Sequence, residues 1–223
     1  MIRLKFLIFC AFLAEGLTGV VLAQNTDDDR KLTVAEFSAN TMAGWESKVF
    51  DNETHYALAE VEGGIALKAV SGNSASGLFR EISVDISKYP YLNWRWRIEN
   101  RLSPMDETRK SGDDYAARIY LVIDGGFFFW KTKALNYVWS SRSKKDDQWP
   151  NAFAPDNTQM IAARTAKDPT GTWFEEKRNV YQALKQWLGE EVDSIDAVAI
   201  MTDTDNSDSR AGAYYGDIYF SAE

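Results

Sequence analysis

The chain has 223 residues, with 33 acidic against 25 basic side chains and a formal net charge of −8. That balance argues against nucleic acid and anionic lipid as partners. The single cysteine, Cys10, and single histidine, His55, exclude a disulfide and a cysteine–histidine zinc centre, and make any histidine-based triad depend on His55.

The chain opens MIRLKFLIFCAFLAEGLTGVVLAQN, a short basic start and an apolar run closed by small residues. This reads as a secretory signal peptide over 1–23, cleaved after Ala23. Glu15 and Gly16 break the run and argue against a membrane span. Residues 24–31, QNTDDDRK, form a polar, flexible lead-in. From there to 223 no repeat, linker or low-complexity tract intervenes, so one domain over 32–223 is expected. The expected localisation is periplasmic or secreted. Without cysteines after Ala23, the mature domain must be held by its core alone.

Short β-branched and aromatic runs then alternate with turn clusters. They predict strands at 45–50, 56–61, 65–70, 77–84, 92–99, 115–124, 135–140, 159–165, 196–202 and 215–221. One stretch breaks the pattern. NVYQALKQWL, 179–188, has Val180, Leu184, Trp187 and Leu188 at helical spacing, and Gly189 stops it. About ten strands and one short helix predict an all-β fold. It is a two-sheet antiparallel β-sandwich of jelly-roll (galactose-binding-like) type.

Strand alternation assigns faces. In LNWRWRIE, Leu92, Trp94, Trp96 and Ile98 face the core, and Asn93, Arg95 and Arg97 face away. In DDYAARIYLVID, Asp114, Ala116, Arg118 and Tyr120 share one side. Three mid-strand arginines in an acidic protein need partners, because an unpaired buried charge is costly. Arg95, Arg97 and Arg118 therefore either pair in a solvated network or line a groove that holds carboxylates or sugar hydroxyls. Asn136 joins them in the groove reading. Aromatic rings at the rim would come from Tyr137, Trp139 or Trp149, the last in the long connection after Arg142. FFFW at 127–130 is too aromatic a run to point wholly inward.

Carboxylates crowd the strand ends. Asp113 and Asp114 are adjacent, so on a strand they point to opposite faces and cannot act together. Asp114 would need Asp203 or Asp217 as a partner for glycoside chemistry. In TDTDNSDSRAGAYYGD, 202–217, an EF-hand starting at Asp203 fails, because Asp208 and Tyr214 stand where glycine and glutamate are required. A looser oxygen cage of Asp203, Asp205, Asn206 and Asp208 remains as a structural calcium site, against a solvated loop as the plainer alternative. No other cofactor is expected.

The pieces GWE, SASGLFREISVDIS, LNWRWRIE, GDDYAARIYLVID, ALNYVWS, WFEEKRNV and AVAIMTDTDNSDSRAGAYYGDIYF, in this order, resemble a bacterial secreted domain-of-unknown-function family, the one numbered three thousand and forty-seven. The resemblance implies one exported β-sandwich and a signature that includes Gly112, Asp113, Asp114, Tyr115, Arg118, Asp203, Asp205, Asn206, Tyr215, Gly216 and Asp217. It implies no activity. The segment 44–98 is also similar to the first strands of jelly-roll carbohydrate-binding modules.

These readings lead to a non-catalytic, exported protein binding a polysaccharide or oligosaccharide, acidic groups among the sugars considered. Arg95, Arg97, Arg118, Asp114 and Asn136 would line one sheet face. The alternatives are a glycan hydrolase or lyase using Asp114 with Asp203 or Asp217, and a structural envelope protein binding another protein. Whether Asp203 or Asp217 reaches Arg118 decides how far the 202–217 stretch is architectural.

Overall fold

The computed structural model describes residues 30–126 and 131–223. The expected signal peptide and the FFFW run lie outside them.

The described residues form thirteen strands in two sheets. One sheet holds β1 (Lys31–Ala35), β3 (His55–Val61), β4 (Gly64–Gly72), β6 (Tyr91–Ile98), β11 (Phe174–Asn179) and β13 (Arg210–Ser221). Its order is β11-β6-β13-β4-β3, with β1 also on β13. The other holds β2 (Glu46–Asp51), β5 (Ala75–Asp85), β7 (Arg118–Ile123), β8 (Lys133–Trp139), β9 (Gln148–Pro150), β10 (Thr158–Arg164) and β12 (Ser194–Met201), in the order β2-β5-β12-β7-β8-β10-β9. The two faces pack as a β-sandwich, as the strand pattern predicts. One pairing departs from it: β8 and β10 run parallel. The 140–157 connection allows this, because it is long enough to carry the chain back to the same end of the sheet.

Residues from both sheets fill the space between them. Leu92, Trp94, Trp96 and Ile98 of β6 meet Ile119 and Leu121 of β7 and Tyr137 and Trp139 of β8 in one cluster. Trp94 lies 5.4 Å from Tyr137 and Trp96 5.8 Å from Trp139, centroid to centroid. Tilted pairs of this kind add ~0.5–1.5 kcal/mol each beyond area burial.

Two short 3-10 turns, η1 (Phe37–Ala39) and η2 (Lys110–Gly112), sit in connections. The helix, α1 (Val180–Leu188), falls where the spacing predicts it. Asn179 caps its start by accepting from Gln182 N, and Gly189 ends it at φ 73°. Lys31, read as lead-in, is already in β1 and lies 3.9 Å over the Tyr219 ring. Among the described residues no helix is long and apolar enough to cross a membrane.

Candidate functional site

The outer face of the seven-stranded sheet is divided in two. Over β8 and β10 it is roofed by the 140–157 connection: Tyr115, Val138, Trp149, Met160 and Ala162 make a second apolar cluster there. Over β5, β12 and β7 the described residues leave a cleft with a cavity of about 80 Å³. Its apolar lining includes Phe50, Tyr120, Phe153, Ala199 and Met201, and its polar lining includes Asp113, Arg118, Asn151, Asp203 and Asp205.

Arg118 opens β7 at the polar end. Its side chain is 5% exposed, and its guanidinium carbon lies 5.1 Å from the Tyr115 ring and 5.3 Å from the Tyr120 ring. Nη2 donates to Asp203 Oδ2 at 2.5 Å, and Nη1 lies 3.7 Å from Asp113 Oδ2. Asp203 and Asp113, with Tyr120, hold the guanidinium charged despite its burial. Among the described residues, Nε and Nη1 of Arg118 and Oδ1 of Asp203 have no hydrogen-bond partner. Buried polar atoms in that state are few in folded proteins and each calls for a cause.

Asp113 is brought in by a tight backbone passage. A Cβ on Gly112 would lie 2.4 Å from Asp106 O, so only glycine fits where the chain turns from η2. Asn151 Nδ2 donates to Asp113 Oδ1 at 3.0 Å, while its Oδ1 accepts from Phe153 N and Ala154 N. One buried asparagine thus fixes both a cleft carboxylate and the aromatic rim. Burial lifts the Asp113 carboxyl from 3.8 to about 6, against the pull of Arg118 and Asn151.

Asp114 turns the other way and organises the 202–209 loop. Asn206 N and Nδ2 donate to its Oδ1, and Ser207 N and Oγ to its Oδ2, the nitrogens at 2.7–3.1 Å. Ser71 Oγ and Thr204 Oγ1, 2.8 Å apart, tie the same loop to the other sheet. Asp114, Asp203 and Asp205 each place an oxygen within 4.8 Å of the others, a grouping that could hold a metal ion.

Several expected site residues are elsewhere. Arg95 and Arg97 lie on β6, whose outward face belongs to the opposite sheet, so they share no surface with Arg118. Arg95 stacks on Trp173 at 4.7 Å and crosses Gly216, where a Cβ would come within 2.4 Å of its Cγ. Arg97 pairs with Glu99 at 2.9 Å. Tyr137 and Trp139 face the core at 2% and 3% exposure, and Trp149 roofs the second cluster, so none presents a ring to a ligand. Asn136 is buried beside Met160 under that roof. Asp217, on β13 of the opposite sheet, accepts from Ser38 N and Oγ of η1, which removes it as a partner for Asp114. Of the expected oxygen cage, Asp203 and Asp205 fall in that grouping with Asp114, whereas Asn206 points its amide nitrogen at Asp114 and Asp208 is exposed.

Sequence reasoning missed Asn151 and Phe153 as site residues. Both lie in WPNAFAP, where the eye goes to Trp149; the signal was asparagine two residues before an aromatic, an Asx-turn pattern. Phe50 was placed in a strand but not in the site, because it is the bulged residue of β2, between Val49 and Asp51 in the register.

Fold and site together define a β-sandwich with an open cleft on one outer sheet face. The chain belongs to the family described as protein of unknown function (DUF3047), whose model matches residues 43–219. No curated protein matches it. Among solved structures it is similar to the non-crystalline-cellulose-specific carbohydrate-binding module CBM28, at 14% identity and TM-score 0.47, covering 84% of this chain and 93% of that one. It is similar to the family 11 carbohydrate-binding module from Clostridium thermocellum, at 10% identity and TM-score 0.44, covering 86% and 95%. It is also similar to the xyloglucanase domain of NopAA from Sinorhizobium fredii, at 10% identity and TM-score 0.41, covering 80% and 93%. At these values no residue role passes from one to another.

Proposed function

We propose that the protein is an exported, single-domain, non-catalytic binder of a polysaccharide or oligosaccharide, and that the cleft over β5, β12 and β7 is its site. The observation that carries this reading is the pairing of unmatched donors and an unmatched acceptor beside an apolar floor. Among the described residues Arg118 Nε and Nη1 and Asp203 Oδ1 lack hydrogen-bond partners at the polar end, and Phe50, Tyr120 and Phe153 stand around the rest. A sugar hydroxyl both donates and accepts, so adjacent hydroxyls answer an arginine and a carboxylate at once. The C–H face of the ring suits aromatic and methyl surface.

The test is a glycan array probed with the purified protein and with Phe153→Ala. Binding to at least one glycan class supports the reading if Phe153→Ala weakens it about tenfold, ~1.4 kcal/mol, with the melting temperature unchanged. Silence across the array, or binding indifferent to Phe153, removes it.

One observation favours a catalytic reading. Asp113 lines the cleft with its carboxyl lifted to about 6, a range suited to a general acid near neutral pH. Reducing-end release from envelope polysaccharides, lost in Asp113→Asn, would establish it.

A further inference from the structure

We infer that the outer face of the six-stranded sheet is a second binding surface, taking a polysaccharide with repeated carboxylates, a uronic acid polymer. This goes beyond the cleft and stands on different residues. Alternation turns Lys31, Lys68, Arg95, Arg97, Lys177 and Arg210 outward from β1, β4, β6, β11 and β13, against the acid Glu175. Asp217, in the β13 bulge between Tyr215 and Ile218, is taken up by Ser38. A chain of net charge −8 thus gathers cations on one sheet face. Arg97 is matched by Glu99, but among the described residues no ion pair joins Lys31, Lys68, Arg95 or Lys177 to a carboxylate.

Each of these four cations lies over an aromatic ring. Lys31 Nζ is 3.9 Å from the Tyr219 centroid, Lys177 Nζ 4.8 Å from that of Tyr91 and Lys68 Nζ 5.7 Å from that of Tyr214. The Arg95 guanidinium carbon is 4.7 Å from the Trp173 centroid. Arg95 leaves Glu175, its partner in the register, and crosses Gly216, where Nη2 donates to Gly63 O at 3.4 Å. The rings hold the charges at the surface without neutralising them. Lys31 and Lys177 are exposed, and Lys68, Arg95 and the Tyr91, Trp173 and Tyr219 rings are half-buried, so a ligand reaches both kinds of group.

A uronate carries a carboxylate and an apolar C–H face on one sugar ring, and so answers a cation and the aromatic ring beside it. From β11 to β4 the unmatched cations span three strand spacings, ~14 Å at ~4.8 Å each. One small anion does not cover that distance, whereas a polymer that repeats its charge does. An acidic peptide fits less well. β6, β13 and β4 are paired on both sides and offer no free backbone edge for an added strand.

The experiment is calorimetric titration of the whole protein with an oligogalacturonate octamer, its fully methyl-esterified form and a poly-aspartate of equal charge, at one ionic strength. The acid octamer should bind at least about tenfold more tightly than either control. Lys68→Gln with Lys177→Gln should weaken it about tenfold with the melting temperature unchanged, and Trp173→Ala should weaken it several-fold. Lys144→Gln with Lys145→Gln, exposed lysines of the 140–157 connection, should leave it unchanged. Equal binding of the ester overturns the inference. Poly-aspartate bound as tightly overturns it too, because the face would then read charge alone, and so does an equal loss in both lysine pairs. Octamer binding abolished by Phe153→Ala overturns it by moving the ligand to the cleft. Silence toward the octamer removes this inference and leaves the cleft reading in place. If the octamer binds through this face and no uncharged glycan binds, the cleft reading fails and this one stands.

Discussion

Arg118 on β7 and Asp203 beyond the end of β12 meet through a 2.5 Å Nη2–Oδ2 contact at 5% and 1% side-chain exposure. Two strand ends separated by 85 residues in sequence are joined there. Tyr215 supports the same point from the other sheet: its hydroxyl donates to Met201 O at 2.7 Å and lies 3.3 Å from Arg118 N as acceptor. The pair is thus both architecture and one wall of the cleft. Removing one partner leaves a buried charge alone, which costs ~3–5 kcal/mol. Arg118→Met should lower unfolding free energy by that order in urea titration. Arg118→Met with Asp203→Leu should recover part of the loss, because it removes both charges.

Asp113 contributes in the opposite sense. Its folded-state carboxyl sits at about 6 against an ordinary 3.8. Between those values the folded state holds more protons than the unfolded one. For this group, stability therefore rises as pH falls from above 6 toward 4, and the ionised form costs on the order of 3 kcal/mol at pH 7. Asp113→Asn should stabilise the protein at pH 7 by ~1–3 kcal/mol and flatten that part of the stability–pH curve. Asparagine still accepts from Asn151. Stability gained together with ligand affinity lost is the expected signature of a site residue.

Gly112 is a steric requirement. Its Cβ position is 2.4 Å from a backbone oxygen, so no side-chain rotation relieves Gly112→Ala. Thermal unfolding should show a loss of ~2 kcal/mol or more, the range for overpacking against a rigid neighbour. Ligand affinity should fall with it, because Asp113 and Asp114 follow directly in the chain.

Asn151→Ala separates rim from charge. It removes the bonds to Phe153 N, Ala154 N and Asp113 together. A stability loss of ~1–3 kcal/mol is expected from the groups left unpaired. Glycan affinity should fall at least as far as in Phe153→Ala, read by the same titration.

Much of the fold was legible because the alternation was strict. LNWRWRIE placed four core and three outer residues correctly. β11 was not legible, since it turns Glu176 inward, 6% exposed, to meet Arg164 and Arg178. Period-two hydrophobicity cannot register a buried ion network. The site was half legible. Arg118 was singled out as a mid-strand charge, and Asp203 and Asp205 as part of a carboxylate-rich loop read as a calcium cage. Joining Arg95 and Arg97 to Arg118 failed because face assignment within a strand says nothing about which sheet the strand enters. The aromatic residues were misassigned for a related reason: Tyr137 and Trp139 alternate with Val138, which is equally apolar, so the pattern does not say which side is core.

The most direct test of the cleft assignment is amide chemical-shift mapping with the tightest uncharged glycan from the array. Shifts clustered on Phe50, Tyr120, Asn151, Phe153 and Met201 are the predicted result. Shifts concentrated on Arg95, Trp173 and Tyr214, across the opposite sheet, would contradict it.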